Sequence, residues 1–167
     1  MPRLLLLRHA KAEATRPGST DHDRALTKSG RKDSAAMGRA VAGRGPVDLV
    51  LCSTARRAKE TWDFLAPGLR REPETRLLRA IYDADESYLP ILNEEGGEAA
   101  AILVVGHNPT MHETAVALAS DLAGPDGAIL ASRFPKAALA VLDFEGSWAA
   151  LGPGRARLAA FVLPQRG

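Results

Sequence analysis

Apolar residues along the chain fall into short unbroken runs separated by longer stretches with helical spacing. Arg3 to Leu7 is a nearly continuous apolar run and predicts a strand buried on both faces. VDLVLCS, residues 47–53, and AAAILVVG, residues 99–106, have the same character. Between the first two, after a polar loop holding Pro17, Gly18, Ser19 and Asp21, LTKSGRKDSAAMGRAVAG predicts a helix. Thr27 is its N-cap, Leu26, Met37 and Val41 are its apolar positions, and Gly43, Gly45 and Pro46 end it. ARRAKETWDFLA predicts a second helix, capped by Ser53 or Thr54 and stopped before Pro67 and Gly68. TRLLRAI predicts a short strand or extended segment, and DESYLPILNEE a short helix with Pro90 in its first turn. NPTMHETAVALASDLAG predicts a helix with Pro109 near its first position. AALAVLDF and RLAAFVL predict closing strands joined across EGSWAALGPG.

Strand and helix thus alternate three times before the final strands. That order predicts an α/β fold with a mainly parallel sheet covered on both faces, the last two strands being antiparallel. A chain of 167 residues suits one domain, expected over 1–167.

Composition changes this picture little. With 22 basic and 20 acidic residues the formal charge is +2, too small an excess to argue for a nucleic acid or a membrane surface as partner. The four-leucine run is too short for a signal segment or a membrane span. Cys52 is the only cysteine, so no disulfide forms within the chain; it reads as a small buried apolar residue, and a cytoplasmic location is expected.

Candidate chemistry gathers where the buried runs stop. The first hands over to Arg8 and His9, the second to Ser53, Thr54, Arg56 and Arg57, the third to His107 and Asn108. In open α/β sheets ligands sit outside the carboxyl ends of the strands. If these strands are neighbours, two of the four histidines and at least two arginines converge on one crevice. Guanidinium groups suit phosphate oxygens, and helix N-termini add N–H donors. Arginines beside His9 hold its imidazole neutral, which leaves a lone pair able to attack phosphorus. Arg8, Arg57 and His107 then serve as clamps on the transition state. Each piece alone has a bland reading: a solvated loop, an exposed helix face for one of Arg56 and Arg57, a backbone cap for His107. His22 and His112 read as structural or exposed. Zinc is a poor alternative, because the histidines are dispersed and lack ligand spacing.

The set resembles the histidine phosphatase superfamily, the group that includes the phosphoglycerate mutases. Arg8-His9-Ala10 is similar to its Arg-His-Gly motif, with Ala10 in the glycine place. STARRAKET resembles the Arg-Ala-x-x-Thr element, which implies that Arg57 binds phosphate and Arg56 does not. VVGHNP resembles the second-histidine motif and implies His107 in the phosphate pocket. The short length, RHAKAE, DRALTKSG and the lack of a large cap insertion most resemble the SixA-type phosphohistidine phosphatases. The resemblance implies a three-layer α/β/α sandwich of the phosphoglycerate mutase-like type, a shallow site and no metal or other cofactor. It also implies attack by His9 and a phosphorylated histidine of a protein as substrate, such as a histidine phosphotransfer domain. Arg24, in DRALTKSG, would contact phosphate or a substrate peptide.

The acid of the pattern is out of place. Where many members carry an acidic residue this chain has Ala80, with Asp83 and Glu86 just beyond. Asp83 is the candidate acid, and Glu86 reads as a helix cap. Phosphohistidine needs no strong acid, because its P–N bond breaks readily once the ring is protonated. The alternatives are a small-molecule phosphomonoesterase using Asp83, or a catalytically silent phosphoprotein-binding module.

Overall fold

The four leucines that open the chain divide between two cores. In the computed structural model, which describes residues 1–165, strand β1 (Arg3–Arg8) lies inside a six-stranded sheet. Successive side chains of a strand point to opposite faces. Leu4 and Leu6 enter one apolar layer and Leu5 and Leu7 the other, all at most 1% exposed. Burial of such a side chain is worth about 1.5–3 kcal/mol. The last two positions of the domain expected over 1–167 lie outside the described residues.

The remaining strands are β2 (Leu49–Ser53), β3 (Glu74–Leu78), β4 (Ala101–Gly106), β5 (Leu139–Phe144) and β6 (Ala156–Val162). Their order across the sheet is β3-β2-β4-β1-β5-β6. The first four run parallel, and β5 is antiparallel to both β1 and β6. The expected mainly parallel sheet with an antiparallel final pair is therefore present.

Helix α1 (Lys28–Ala42) starts at Thr27, whose side chain accepts the Gly30 N–H. With α2 (Arg56–Leu65) it covers one face through Met37, Val41, Ala58, Trp62 and Leu65. The other face carries α4 (Leu89–Glu95), α5 (Thr110–Leu118) and α6 (Gly124–Ser132), which contribute Leu92, Met111, Ala115, Leu118 and Leu130. These layers form the expected three-layer sandwich, with the helix α3 (Arg79–Asp83) at the edge.

Three local expectations need correction. TRLLRAI is not one extended segment: β3 ends at Leu78 and α3 takes over at Arg79. Helix α2 is capped by neither hydroxyl; Ala55 is its N-cap, and the Ser53 side chain instead accepts the Ala55 N–H at 3.1 Å. The helix after β4 stops at Leu118, and a separate α6 follows it. Pro125 and Asp126 in its first turn are the sequence signals of this second start. No helix among the described residues is long and apolar enough to cross a membrane.

Candidate active site

Strands β2, β4 and β1 are adjacent and parallel, so their carboxyl ends share one edge of the sheet. Arg8, last in β1, is paired in register with Gly106, last in β4. His9 and His107 each follow one step later and come together with ring centroids 5.1 Å apart. Ser53 ends β2, and its hydroxyl lies 2.7 Å from His107 Nε2. Arg57, in the first turn of α2, donates from Nε to His9 Nε2 at 3.3 Å. His9, Arg57 and His107 are all buried. Arg8 is half-buried and donates from Nη1 to the Phe134 carbonyl at 2.9 Å. Arg56 is exposed and pairs with Glu60 one turn along the helix.

The protonation of His9 follows from its two partners. Its Nδ1 lies 2.8 Å from the Ala10 carbonyl, which can only accept. Its Nε2 faces the Arg57 guanidinium, which can only donate. Both bonds are made together only when the proton sits on Nδ1 and the lone pair on Nε2. Burial holds this imidazole well below the ordinary histidine range, against the Ala10 hydrogen bond, with His107, Arg57 and Arg8 adding to the effect. Loss of water, more than arginine neighbours, thus keeps His9 neutral. Burial likewise lowers His107, with help from Arg57, to about 4.

Two buried side-chain nitrogens among the described residues lack a partner, Nε of Arg8 and Nδ1 of His107. Buried polar atoms are normally paired, and both of these belong to the strand-end cluster. Arg8 Nε is an obligate donor. A donor-rich set of this kind is suited to an anion with several oxygens.

Three contacts fix the cluster. The Tyr88 hydroxyl accepts the His107 N–H at 2.8 Å and lies 3.2 Å from the His107 carbonyl. Gly106 leaves room for it, since a Cβ there would stand 2.5 Å from that hydroxyl. Thr61 of α2 donates to the Arg57 carbonyl at 2.7 Å and accepts the Ala10 N–H at 3.0 Å, which ties α2 to the residue after His9. Ala10 does not have positive φ, so a methyl group is tolerated where the resemblance has glycine.

Sequence reasoning missed the other side of the site. Asp21, in a single 3-10 turn at Asp21–Asp23, accepts from Arg57 Nη2 at 3.1 Å and from the Tyr82 hydroxyl at 2.8 Å. Its own carbonyl accepts Arg57 Nη1 at 2.8 Å. Burial works against its charge, but Tyr82, Arg24 and Arg57 outweigh that and bring the carboxyl to about 2. Tyr82 meets His107 edge-on at 5.6 Å and His22 at 4.8 Å. His22, read as bland, therefore belongs to the wall of the site, and its Nε2 is 2.9 Å from Thr54 Oγ1. Nothing in the spacing of a loop residue and a tyrosine 61 positions apart announces such a contact.

The two weaker candidates are placed differently. Arg24 binds the Glu13 carbonyl at 2.7 Å and Asp21 Oδ1 at 3.1 Å, so it supports Asp21. Asp83 pairs with Arg79 at 3.2 Å, with both side chains mostly exposed. His112 is a structural residue whose Nε2 meets the Leu130 carbonyl. Cys52 is buried in β2, and burial pushes its thiol up.

Comparison with known proteins agrees with this geometry. Residues 4–79 match the histidine phosphatase superfamily (branch 1). An uncharacterized protein of Mycobacterium tuberculosis, Rv1276c, is 36% identical over 164 residues, which are 95% of this chain and 100% of that protein. The chain belongs to the histidine phosphatase superfamily. Among solved structures, a candidate phosphohistidine phosphatase SixA from Agrobacterium tumefaciens is 34% identical, with 97% of each chain covered and a TM-score of 0.81. A candidate phosphohistidine phosphatase SixA from Nakamurella multipartitia is 31% identical, with 98% of this chain and 96% of that one covered and a TM-score of 0.82. The SixA-type likeness read from the sequence holds, and the chain is a phosphatase of this superfamily.

Proposed function

We propose that this phosphatase removes the phosphoryl group from a phosphohistidine carried by a protein, through a covalent intermediate on His9. The reading treats residues 1–167 as one catalytic domain and needs no metal, since Arg8, Arg57 and His107 supply the donors and positive charge. One observation carries it: the lone pair of His9 Nε2 is held beside Arg57, and the His9 and His107 ring centroids are 5.1 Å apart.

In the first step Nε2 attacks phosphorus in line with the leaving group. The Arg57 Nε–H passes from the imidazole to a phosphoryl oxygen as that lone pair is used. With Ser53 donating to His107 Nε2, the His107 proton sits on Nδ1, and Nδ1 joins Arg8 Nε as a donor to the equatorial oxygens. Donors fixed in advance in a dry site stabilise the charge of phosphoryl transfer without reorganisation. Water then attacks the phosphohistidine of the enzyme and regenerates His9.

Asp83 is the residue on which a small-molecule phosphomonoesterase reading would lean. Its pairing with Arg79 on the exposed face of α3 favours a substrate whose leaving group needs no acid. The test is a comparison of kcat/KM on a phosphohistidine peptide and on a phosphoserine peptide of the same sequence. The reading requires faster hydrolysis of phosphohistidine; faster hydrolysis of phosphoserine refutes it.

A further inference from the structure

The Asp21 carboxylate beside Arg57 is unused by the chemistry above. It is half exposed, and its oxygens accept three hydrogen bonds, from Arg24 on Oδ1 and from Arg57 and Tyr82 on Oδ2. A carboxylate offers about four acceptor positions, so Oδ1 keeps one for a further donor. Surrounded by donors it stays ionised, so it has no proton to give to a departing alkoxide. What it can stabilise is a cation.

Tyr82 supplies the second element. Its hydroxyl bond to Asp21 fixes the ring beside the phosphate-binding cluster, edge-on to His107 and to His22. A carboxylate on Arg57, the partner of His9, and an aromatic wall against His107 therefore flank the phosphate-binding cluster. That combination suits a flat, positively charged ring bearing an N–H.

We propose that Asp21 and Tyr82 form the leaving-group side of the site and select a protonated imidazole over an oxygen leaving group. The inference rests on the phosphohistidine reading and names the residues that enforce it. A phosphohistidine ring protonated on its free nitrogen donates that N–H to Asp21 while it lies against Tyr82. As the lone pair of His9 Nε2 forms the new P–N bond, the electrons of the substrate's P–N bond return to its ring nitrogen. The positive charge of the ring is cancelled, and it leaves as neutral imidazole with its N–H intact. No proton passes from the protein. For an alkoxide or phenolate the same carboxylate opposes the charge that develops on the departing oxygen.

The experiment measures kcat/KM of wild type, Asp21→Asn, Tyr82→Leu and Tyr82→Phe on a phosphohistidine peptide and on p-nitrophenyl phosphate, with inhibition by inorganic phosphate as a gauge of Arg57. Asp21→Asn and Tyr82→Leu should each lower the ratio of phosphohistidine to p-nitrophenyl phosphate activity by about tenfold or more, while phosphate inhibition changes much less. Tyr82→Phe, which keeps the ring, should lower the ratio less than Tyr82→Leu. Equal loss on both substrates, with a matching loss of phosphate inhibition, would show that Asp21 and Tyr82 only hold Arg57, and would overturn the inference. If wild type prefers phosphohistidine to phosphoserine peptide but the variants keep the wild-type ratio, the inference fails and the phosphohistidine reading stands. A wild type that prefers phosphoserine ends both.

Discussion

Arg57 Nε and His9 Nε2 are 3.3 Å apart, and the direction of that bond is set by chemistry: the guanidinium donates and the imidazole accepts. The contact makes Arg57 the keeper of the nucleophile's lone pair before attack and a ligand of the phosphoryl oxygens during it. The Asp21 carbonyl and carboxylate take its other two nitrogens, so the guanidinium plane is held from two sides.

Arg57→Ala should therefore lose both roles. A fall of about 10²–10³ in kcat is expected, the usual effect of deleting a preorganised donor to a transition-state oxyanion, with weaker inhibition by phosphate or vanadate. Arg56→Ala, which removes an exposed partner of Glu60, should leave both quantities nearly unchanged. Steady-state kinetics on the two variants checks the pair, and a greater loss in Arg56→Ala would place the phosphate ligand one residue earlier.

Tyr88 is a positioning residue for His107. Tyr88→Phe removes the acceptor of the buried His107 N–H and should cost about 1–3 kcal/mol in urea unfolding, with reduced kcat. Gly106→Ala should reproduce the defect from the other side, because its methyl would meet the Tyr88 hydroxyl. Unchanged stability in both variants would mean that the contact holds nothing in place.

The strand-end cluster was readable from the chain because its logic is local. A buried run that ends in Arg8-His9 or Gly106-His107 places those residues at a strand terminus whatever the rest of the fold does. Arg57 was told from Arg56 only by the resemblance to the Arg-Ala-x-x-Thr element, whose threonine here, Thr61, ties α2 to Ala10. Asp21, His22 and Tyr82 were not readable. Their meeting depends on how one polar loop and α3 fold over the sheet edge, and neither segment has a periodicity that reports it. Tyr88 escaped for another reason: its ring reads as core, and only the fold brings its hydroxyl onto the His107 backbone. Asp83 looked acidic and near, but α3 turns it toward Arg79.

The buried neutral histidines give stability a pH dependence of definite sign. Below about pH 6.5 the unfolded chain takes up protons that folded His9 and His107 refuse, so stability should fall as pH drops from there toward about 4, where folded His107 titrates. Each histidine contributes a slope of at most about 1.4 kcal/mol per pH unit in that window and nothing above it. Urea melts between pH 4 and 8 should show this, and His107→Gln should flatten the slope. An equally steep slope in that variant would assign the effect to other groups.

Asp83→Asn should be silent on phosphohistidine, aryl phosphate and alkyl phosphate alike, since the side chain belongs to an exposed pair worth about 0–1 kcal/mol. A loss confined to the alkyl phosphate, in single-turnover assays on all three, would restore Asp83 as the general acid.

Covalent attack by His9 is tested most directly by rapid-quench trapping of the enzyme with a ³²P-labelled phosphohistidine peptide. Wild type should give an acid-labile, base-stable phosphoenzyme that forms before product phosphate appears, with the label on the peptide containing His9. His9→Ala should give no such species and lose roughly 10⁴-fold or more in turnover, because the lone pair that makes the new bond is gone. Robust turnover in His9→Ala, or product release in wild type with no phosphoenzyme at any time point, would contradict the account and leave water as the direct nucleophile.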